Sequence, residues 1–591
     1  MEALIVAVAG LLVVAAAAAL APRLRIAAPL ILVITGIAIS LLPFVPAVHI
    51  SPELILAGIL PPLLYSASVS MPAMNFRREF NAIGGLSVVL VVVSSVVLGL
   101  FFAWVIPGLG IWWGIALGAI VSPTDAVATS IVKRIGISGR VVAVLEGESL
   151  LNDATALVLL RTAIAGTAAA VSFWGVLGDF AYAVAVAGVF GFAVGHLNLW
   201  VRSKVSDATV NTVISFTVPF LASIPAELLG ASGLVAAVVA GLVTGHGAAR
   251  RLPPQHRLSD TQNWHTVELV LEGAIFLLMG LELFGIVTDV QYKYDGLGPA
   301  TVVALGALVL TLLVRAAYIA PLLAGLHRRA RRGARVKPRL DVMQQRLDSP
   351  RTPSGRDGPP GSPGYPGAPV SPGSPGSSVS PDSPDSPVSR RPAPTPERIE
   401  RAKTRTRRVL ADIDYLLAAP LGWREGGVLV WAGMRGAVTV AAAQTLPVQT
   451  PDRSFLILVA FMVAAFSLLI QGGTLAGFVA WIKPAGPDRD AENEERGRLL
   501  AMLTTIEREI TAANPPVVET PTDTAADAAL PAPQSFAAVK RLTIEIIEAQ
   551  RTALLDARDD GTFTAEVLNS ALANLDADQI SVELKGAPVE R

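Results

Sequence analysis

The chain has 591 residues, 52% of them hydrophobic and 16% charged, with no cysteine and a formal net charge of zero. A mean hydropathy of +0.55 over that length exceeds what a water-soluble core can absorb, and points to a polytopic helical membrane protein. Charge balance argues against nucleic acid as a partner, and the absence of cysteine excludes disulfides, thiol catalysis and cysteine-ligated metals. The six histidines are scattered without a zinc-like spacing.

The first apolar run, residues 2–21, ends in alanines before Pro22 and Arg23. It carries Glu2 and no Lys or Arg ahead of it, the reverse of a secretory leader, so it reads as a retained span. Runs of helical length follow at 26–46, 53–72, 82–106, 111–132, 140–165, 172–201, 208–229, 231–246, 264–284 and 299–326, and then at 424–446 and 454–482. That makes about thirteen membrane spans. Basic residues fall in alternate connections: Arg23 and Arg25; Arg77 and Arg78; Lys133, Arg134 and Arg140; Arg202 and Lys204; Arg250, Arg251 and Arg257. The loops between them carry no Lys or Arg. The positive-inside rule therefore predicts an N-terminus outside and a C-terminus in the cytoplasm, in keeping with an odd number of spans.

The chain divides accordingly into a membrane region at 1–327, an insert at 328–423, two last spans within 424–482 and a helical tail at 483–591. The insert opens strongly basic, from His327 through Arg335, and its middle, 348–395, is rich in Pro, Ser and Gly. Such a composition cannot bury a core and reads as disordered. The insert closes on a basic amphipathic helix carrying Arg398, Ile399, Arg408 and Leu410, expected to meet anionic lipid at the cytoplasmic face. In the tail, Leu499, Leu503, Ile506 and Ile510 recur at helical spacing, as do Leu542, Ile546 and Ala549, predicting two or three amphipathic helices.

The chemistry lies inside the apolar runs. Residues 146–155 read Glu-Gly-Glu-Ser-Leu-Leu-Asn-Asp-Ala-Thr. Burying Glu148, Asn152 and Asp153 at membrane depth is costly, which makes them functional candidates. On a helix Ser149 and Asp153 share a face, and Glu148 and Asn152 share the neighbouring one. The preceding run contains Ser122-Pro123-Thr124-Asp125-Ala126, where proline removes a helix donor and frees carbonyls beside a second acid. Asp153 and Ser149, with the freed carbonyls near Thr124, can then form an oxygen-lined site for Na+ or another alkali cation, and the Asp153 carboxylate can bind a proton instead. A site that holds one or the other is an exchanger. With Asn152 rather than a second acid beside Asp153, one titrating group remains there, and electroneutral exchange is expected.

Glu148 needs a countercharge, and Arg315 in the eleventh run is the expected partner. Gly433 and Gly436 bracket Arg435 in the twelfth, where a second helix break would expose carbonyl dipoles for Arg435 to oppose. Glu146 is expected near the cytoplasmic end, Glu282 in solvent near the outer end, and Arg161 snorkelling. Glu268 and Glu272, one turn apart, either line a funnel or are solvated at a helix end.

Ser122–Ala126, Glu146–Asp153 and Gly433-Met434-Arg435-Gly436-Ala437 together resemble monovalent cation/proton antiporter family 1, the sodium/proton exchangers, in a bacterial form, through about residue 482. The resemblance implies an all-α inverted-repeat antiporter fold with the fifth and twelfth spans discontinuous and crossing, in a homodimer in the plasma membrane. It implies that Asp153 binds the cation and the proton, with Asn152 as its partner and Ser149 and Thr124 as further ligands. Asp125 would compensate helix-end dipoles and Glu148 would pair with Arg315. The implied partners are a monovalent cation, a proton and lipid, with no resident cofactor and no enzymatic activity. One departure concerns Tyr65-Ser66-Ala67: some relatives carry an acid where this chain has Ser66. The competing readings are a sodium-coupled symporter, a cation channel, which would want a selectivity loop, and a membrane hydrolase, which would want a nucleophile-base-metal set.

Overall fold

Within the described residues each apolar run coincides with one helix or with two half-helices. The computed structural model describes residues 2–24, 27–42, 53–168, 173–293, 297–348, 396–486, 488–514 and 533–585, and no strand occurs among them. The first helices are α1 (Glu2–Leu24), α2 (Ala28–Ser40), α3 (Leu54–Ser70) and α4 (Ala73–Val105). The fifth run is split into α5 (Ile111–Val121) and α6 (Val127–Ile135), because Pro123 removes a donor where the helix would continue. Then come α7 (Gly139–Ala168), α8 (Phe173–Arg202), α9 (Ala208–Leu228), α10 (Gly233–Arg251), α11 (Pro254–Lys293) and α12 (Gly298–Asp348). After α13 (Pro396–Ala418), the twelfth run is split into α14 (Trp423–Trp431) and α15 (Ala437–Gln444), and α16 (Arg453–Ile482) is the last apolar helix. The tail forms α17 (Arg489–Ala513), α18 (Pro533–Asp560) and α19 (Ala565–Leu584).

Among the described residues eight helices are by length and composition able to cross a bilayer alone, and α2, α3 and α5 are shorter apolar helices. Three π-helical turns interrupt the ladders, at Leu54–Ile59, Gly85–Leu90 and Leu468–Gly472. Two extensive buried apolar clusters, with a smaller one around Ile83 and Leu150, hold the bundle among the described residues. One gathers Leu60, Tyr65, Leu86, Ala236, Phe276, Val428 and Phe461. The other gathers Leu98, Phe102, Leu117, Ile120, Ala304, Leu456 and Val459.

The helix α12 does not stop at the expected boundary of 327. Its 51 residues span about 75 Å at 1.5 Å per residue, far more than the roughly 30 Å of a bilayer core. The change from apolar to basic residues there changes the solvent, not the backbone preference, since Arg, Ala and Leu are all good helix formers. The closing helix of the insert, α13, packs along this extension through Gly333 and Ile413, with ion pairs Lys337–Asp414 and Arg407–Asp348. The disordered segment expected at 348–395 lies, but for Asp348, outside the described residues.

The tail docks on the bundle. Leu499, Ile547, Leu554, Leu568 and Leu572 form its core, and Met74, just inside α4, is buried in the same cluster. Arg257 pairs with Asp576, Arg250 with Asp559 at 2.7 Å, and Arg78 donates to Gly561 O at 2.8 Å. Arg140 donates to Ala419 O at 2.8 Å, and Tyr415 packs against the guanidinium groups of Arg78 and Arg140. Burial pushes the Tyr415 hydroxyl above its ordinary pKa, and the Glu79 carboxylate adds to that. The basic connections at 77–78, 140 and 250–257 therefore share one end of the bundle with the insert helix and the tail.

Two helices approach backbone to backbone where α2 meets α11. A Cβ on Gly280 would lie against Val33 O and 2.9 Å from the Gly36 Cα. Gly280→Ala should lower the thermal midpoint in detergent by an amount matching about 1–3 kcal/mol of overpacking. At Gly477 an added Cβ meets open space. Gly477→Ala should leave the midpoint unchanged or raise it slightly.

Candidate functional site

The two interrupted helices cross at their breaks. The Asp125 N–H donates to Met434 O at 2.7 Å, so each unwound segment satisfies part of the other. Four half-helix ends meet here, and each exposes partial charge. Arg435 answers the carbonyl ends: Nε donates to Val121 O at 2.9 Å, Nη2 to Ser122 O at 3.2 Å, and Nη1 to Gly433 O. Asp125 answers the amide ends, accepting from the Val127 N–H at 3.0 Å and lying so close to Gly436 that any Cβ there would overlap its carboxylate. Ser467 and Gln471 support the crossing from α16. Ser467 Oγ accepts from the Arg435 N–H at 2.9 Å and donates to Gln471 Oε1 at 2.5 Å, and Gln471 Nε2 donates to Trp431 O at 2.9 Å.

On α7 the two predicted faces diverge in role. Glu148 turns away from the cavity and is 2% exposed. It accepts from Arg315 Nη2 at 2.7 Å and from Nη1, while Arg315 Nε donates to Leu429 O at 2.8 Å. This pair ties α7 to α12 and α14. Thr124 Oγ1 donates to Glu148 Oε1 at 3.2 Å and accepts from Asn152 Nδ2 at 2.6 Å; the same Nδ2 donates to Thr124 O at 3.1 Å. Asn152 thus locks the broken segment onto α7 and does not line the cavity.

The other face, Ser149 and Asp153, does. A cavity of about 80 Å3 is bounded by Thr124, Asp125, Ser149, Asp153, Glu268, Glu272, Gly436 and Thr439. That is room for several waters, or for a cation with part of its hydration. Asp153 is 6% exposed, and no hydrogen bond or ion pair engages its carboxylate among the described residues. A buried acid in that state invites a proton or a cation.

Other expectations need revision. Glu282 is buried, not solvated, because Gln444 Nε2 from α15 donates to it. Glu146 pairs with Lys133, and Arg161 with Glu227 at 3.4 Å. Glu268 and Glu272 line the cavity, which removes simple end-solvation. Sequence reasoning missed Thr439, Ser467 and Gln471, though the i,i+4 polar pair Ser467–Gln471 in an apolar run was a usable signal. It also missed two buried ion pairs, Arg140–Glu79 and Arg202–Asp260.

Two broken helices crossing over a buried acid are the architecture of a secondary transporter. The family described as the transmembrane sodium/hydrogen exchangers matches residues 9–336. The chain belongs to that family, and it is a multi-pass membrane protein. It is 36% identical over 274 residues to the Escherichia coli protein named uncharacterized Na+/H+ exchanger YjcE, a match covering 44% of this chain and 49% of that one. It is 26% identical over 491 residues to the Mycobacterium tuberculosis protein named uncharacterized Na+/H+ exchanger Rv2287, covering 81% and 74%. Its fold is that of the sodium proton antiporter MjNhaP1 from Methanocaldococcus jannaschii, with a TM-score of 0.55 at 15% identity, covering 81% of this chain and 98% of that one.

Removing one partner of the Glu148–Arg315 pair strands a buried charge. Glu148→Gln and Arg315→Gln should each cost about 3–5 kcal/mol, and the double variant less than their sum. A double-mutant cycle on thermal stability in detergent reads that coupling directly.

Proposed function

We propose that this protein is a secondary active antiporter that exchanges Na+, or another alkali cation, for protons. The observation that carries the reading is the Asp153 carboxylate: buried, unpartnered among the described residues, and open to a cavity at the crossing of two interrupted helices. Asp153 alternates between cation and proton. Ser149 lies one turn away and adds a neutral oxygen, and Thr124 bounds the cavity beside them. Glu148, Arg315, Asn152, Asp125 and Arg435 hold the geometry and balance the helix ends rather than bind cargo. The family relation supports the same reading, as does the Bacillus subtilis relative named sodium, potassium, lithium and rubidium/H+ antiporter, 30% identical over 269 residues.

Several finer points belong to the same proposal. The protein resides as a homodimer in a bacterial plasma membrane, its basic end with the insert and tail in the cytoplasm, and serves pH and sodium homeostasis. The alternate placement of Arg and Lys supports that orientation. A symporter would show solute-dependent Na+ uptake without proton counterflow, which the same proteoliposome assay distinguishes.

Asp153→Asn should abolish Na+-dependent proton counterflow, read with a pH-sensitive dye in proteoliposomes, while the purified variant stays monodisperse. Charge balance gives a second expectation. Asn152 is tied to Thr124 and Asp125 to a helix N-terminus, leaving Asp153 as the one α7 acid that faces the cavity. Turnover should therefore be insensitive to an imposed K+/valinomycin potential, and a steep voltage dependence would overturn one-for-one exchange.

A further inference from the structure

The cavity has a second wall that the proposed exchange step leaves without a role. Opposite Asp153 and Ser149, α11 presents Glu268 and Glu272 one turn apart on the same face. An acidic pair could be no more than the rim of a water-filled funnel, but three further observations tie Glu268 to the site. First, it has a buried donor beside it: the Ser66 hydroxyl, 3% exposed on α3, reaches Glu268 Oε2 at 3.2 Å, nearer than its other acceptor, Trp264 O at 3.5 Å. Second, the turn of α11 before it is fixed, since Trp264 packs on Tyr65 at 5.0 Å between ring centres and its Nε1 donates to Ser215 Oγ at 2.9 Å. Third, Thr439 on α15 bounds the same cavity at 1% exposure with an Oγ1 that has no hydrogen-bond partner among the described residues. A buried hydroxyl without a partner is costly unless the cavity supplies one.

We infer that Glu268, positioned by Ser66, is a second cation-recognising carboxylate of this cavity, and that it helps to set which alkali cation the chain prefers. The inference rests on the exchanger reading above. A partly hydrated alkali cation in the cavity would have Asp153 and Ser149 on one side, and Glu268 on the other, with the Thr439 hydroxyl available as a neutral oxygen. Hard monovalent cations are discriminated by the number and charge of the oxygens that replace their water and by the rigidity of the cage. A carboxylate that accepts from a buried serine is more rigid than a free one. Asp153 remains the group that exchanges the proton.

The test compares wild type, Ser66→Ala, Glu268→Gln and the double variant in proteoliposomes, measuring KM for Na+, Li+ and K+ from dye-reported proton counterflow. Glu268→Gln should raise the KM for the preferred cation about tenfold and change the order of preference among the three. Ser66→Ala should raise it about threefold, and should add nothing in the Glu268→Gln background, because its effect passes through Glu268. Moving the acid, with Ser66→Glu combined with Glu268→Gln, should restore affinity. KM values for all three cations within twofold of wild type in Glu268→Gln would overturn the assignment, as would additive effects of the two single variants. Absence of counterflow in the wild-type protein with every cation would instead overturn the exchanger reading itself, so the two failures are separable.

Discussion

One hydrogen bond between two unwound segments, from the Asp125 N–H to Met434 O, marks the point on which the rest of the site depends. Interrupting a helix inside a bilayer leaves amides and carbonyls that water cannot reach, so a break is tolerated only if something else satisfies it. Here each break satisfies part of the other. What the backbone cannot supply comes from two side chains of opposite charge: Arg435 on the carbonyl ends and Asp125 on the amide ends. Glycine at 436 is required by the approach of the Asp125 carboxylate, not by backbone torsion, since its φ is not in the left-handed region.

The second constraint is the separation of structural from functional charge on α7. Glu148 and Asp153 sit five residues apart in the same helix, and both are almost fully buried. Glu148 faces Arg315 and the Thr124–Asn152 bridge, and both its carboxylate oxygens accept hydrogen bonds from protein. Asp153 faces the cavity, and no hydrogen bond or ion pair engages it among the described residues. An ion pair of that kind adds little net stability, but it fixes where the broken segment lies relative to α7. The Asp153 carboxylate can change its partner only because its neighbours do not.

Much of this was legible in the sequence because local rules decide it. Pro123 and the Gly433–Gly436 bracket announce the two breaks, and i,i+4 spacing separates the Ser149–Asp153 face from the Glu148–Asn152 face. Arg315 could be chosen as the partner of Glu148 because few basic residues lie deep in apolar runs. What could not be read depends on contacts between distant segments. Ser66 and Glu268 are 202 residues apart, and only the packing of α3 on α11 brings them together. Nearness to the end of an apolar run suggests exposure for Glu282, whereas Gln444 covers it. Arg140 was read as a loop charge, yet it is buried against Glu79 and bonded to Ala419 just beyond α13. The end of α12 was missed for the reason already given: bilayer and water change places there while the helix continues.

The docked tail has a mechanical consequence. Its contacts are divided between two groups of bundle helices: Asn75 and Arg78 on α4, and Arg250 and Arg257 on α10 and α11. A body fastened at two such points acts as a spring in parallel with any joint between them. A displacement that separates α4 from α10 and α11 must stretch that spring, release one of its attachments, or carry the tail along. The attachments on the α10 and α11 side are ion pairs, and those of Arg250 are solvent-accessible, so that side of the spring softens as salt rises, while the apolar contact of Met74 within the tail's core does not soften in the same way.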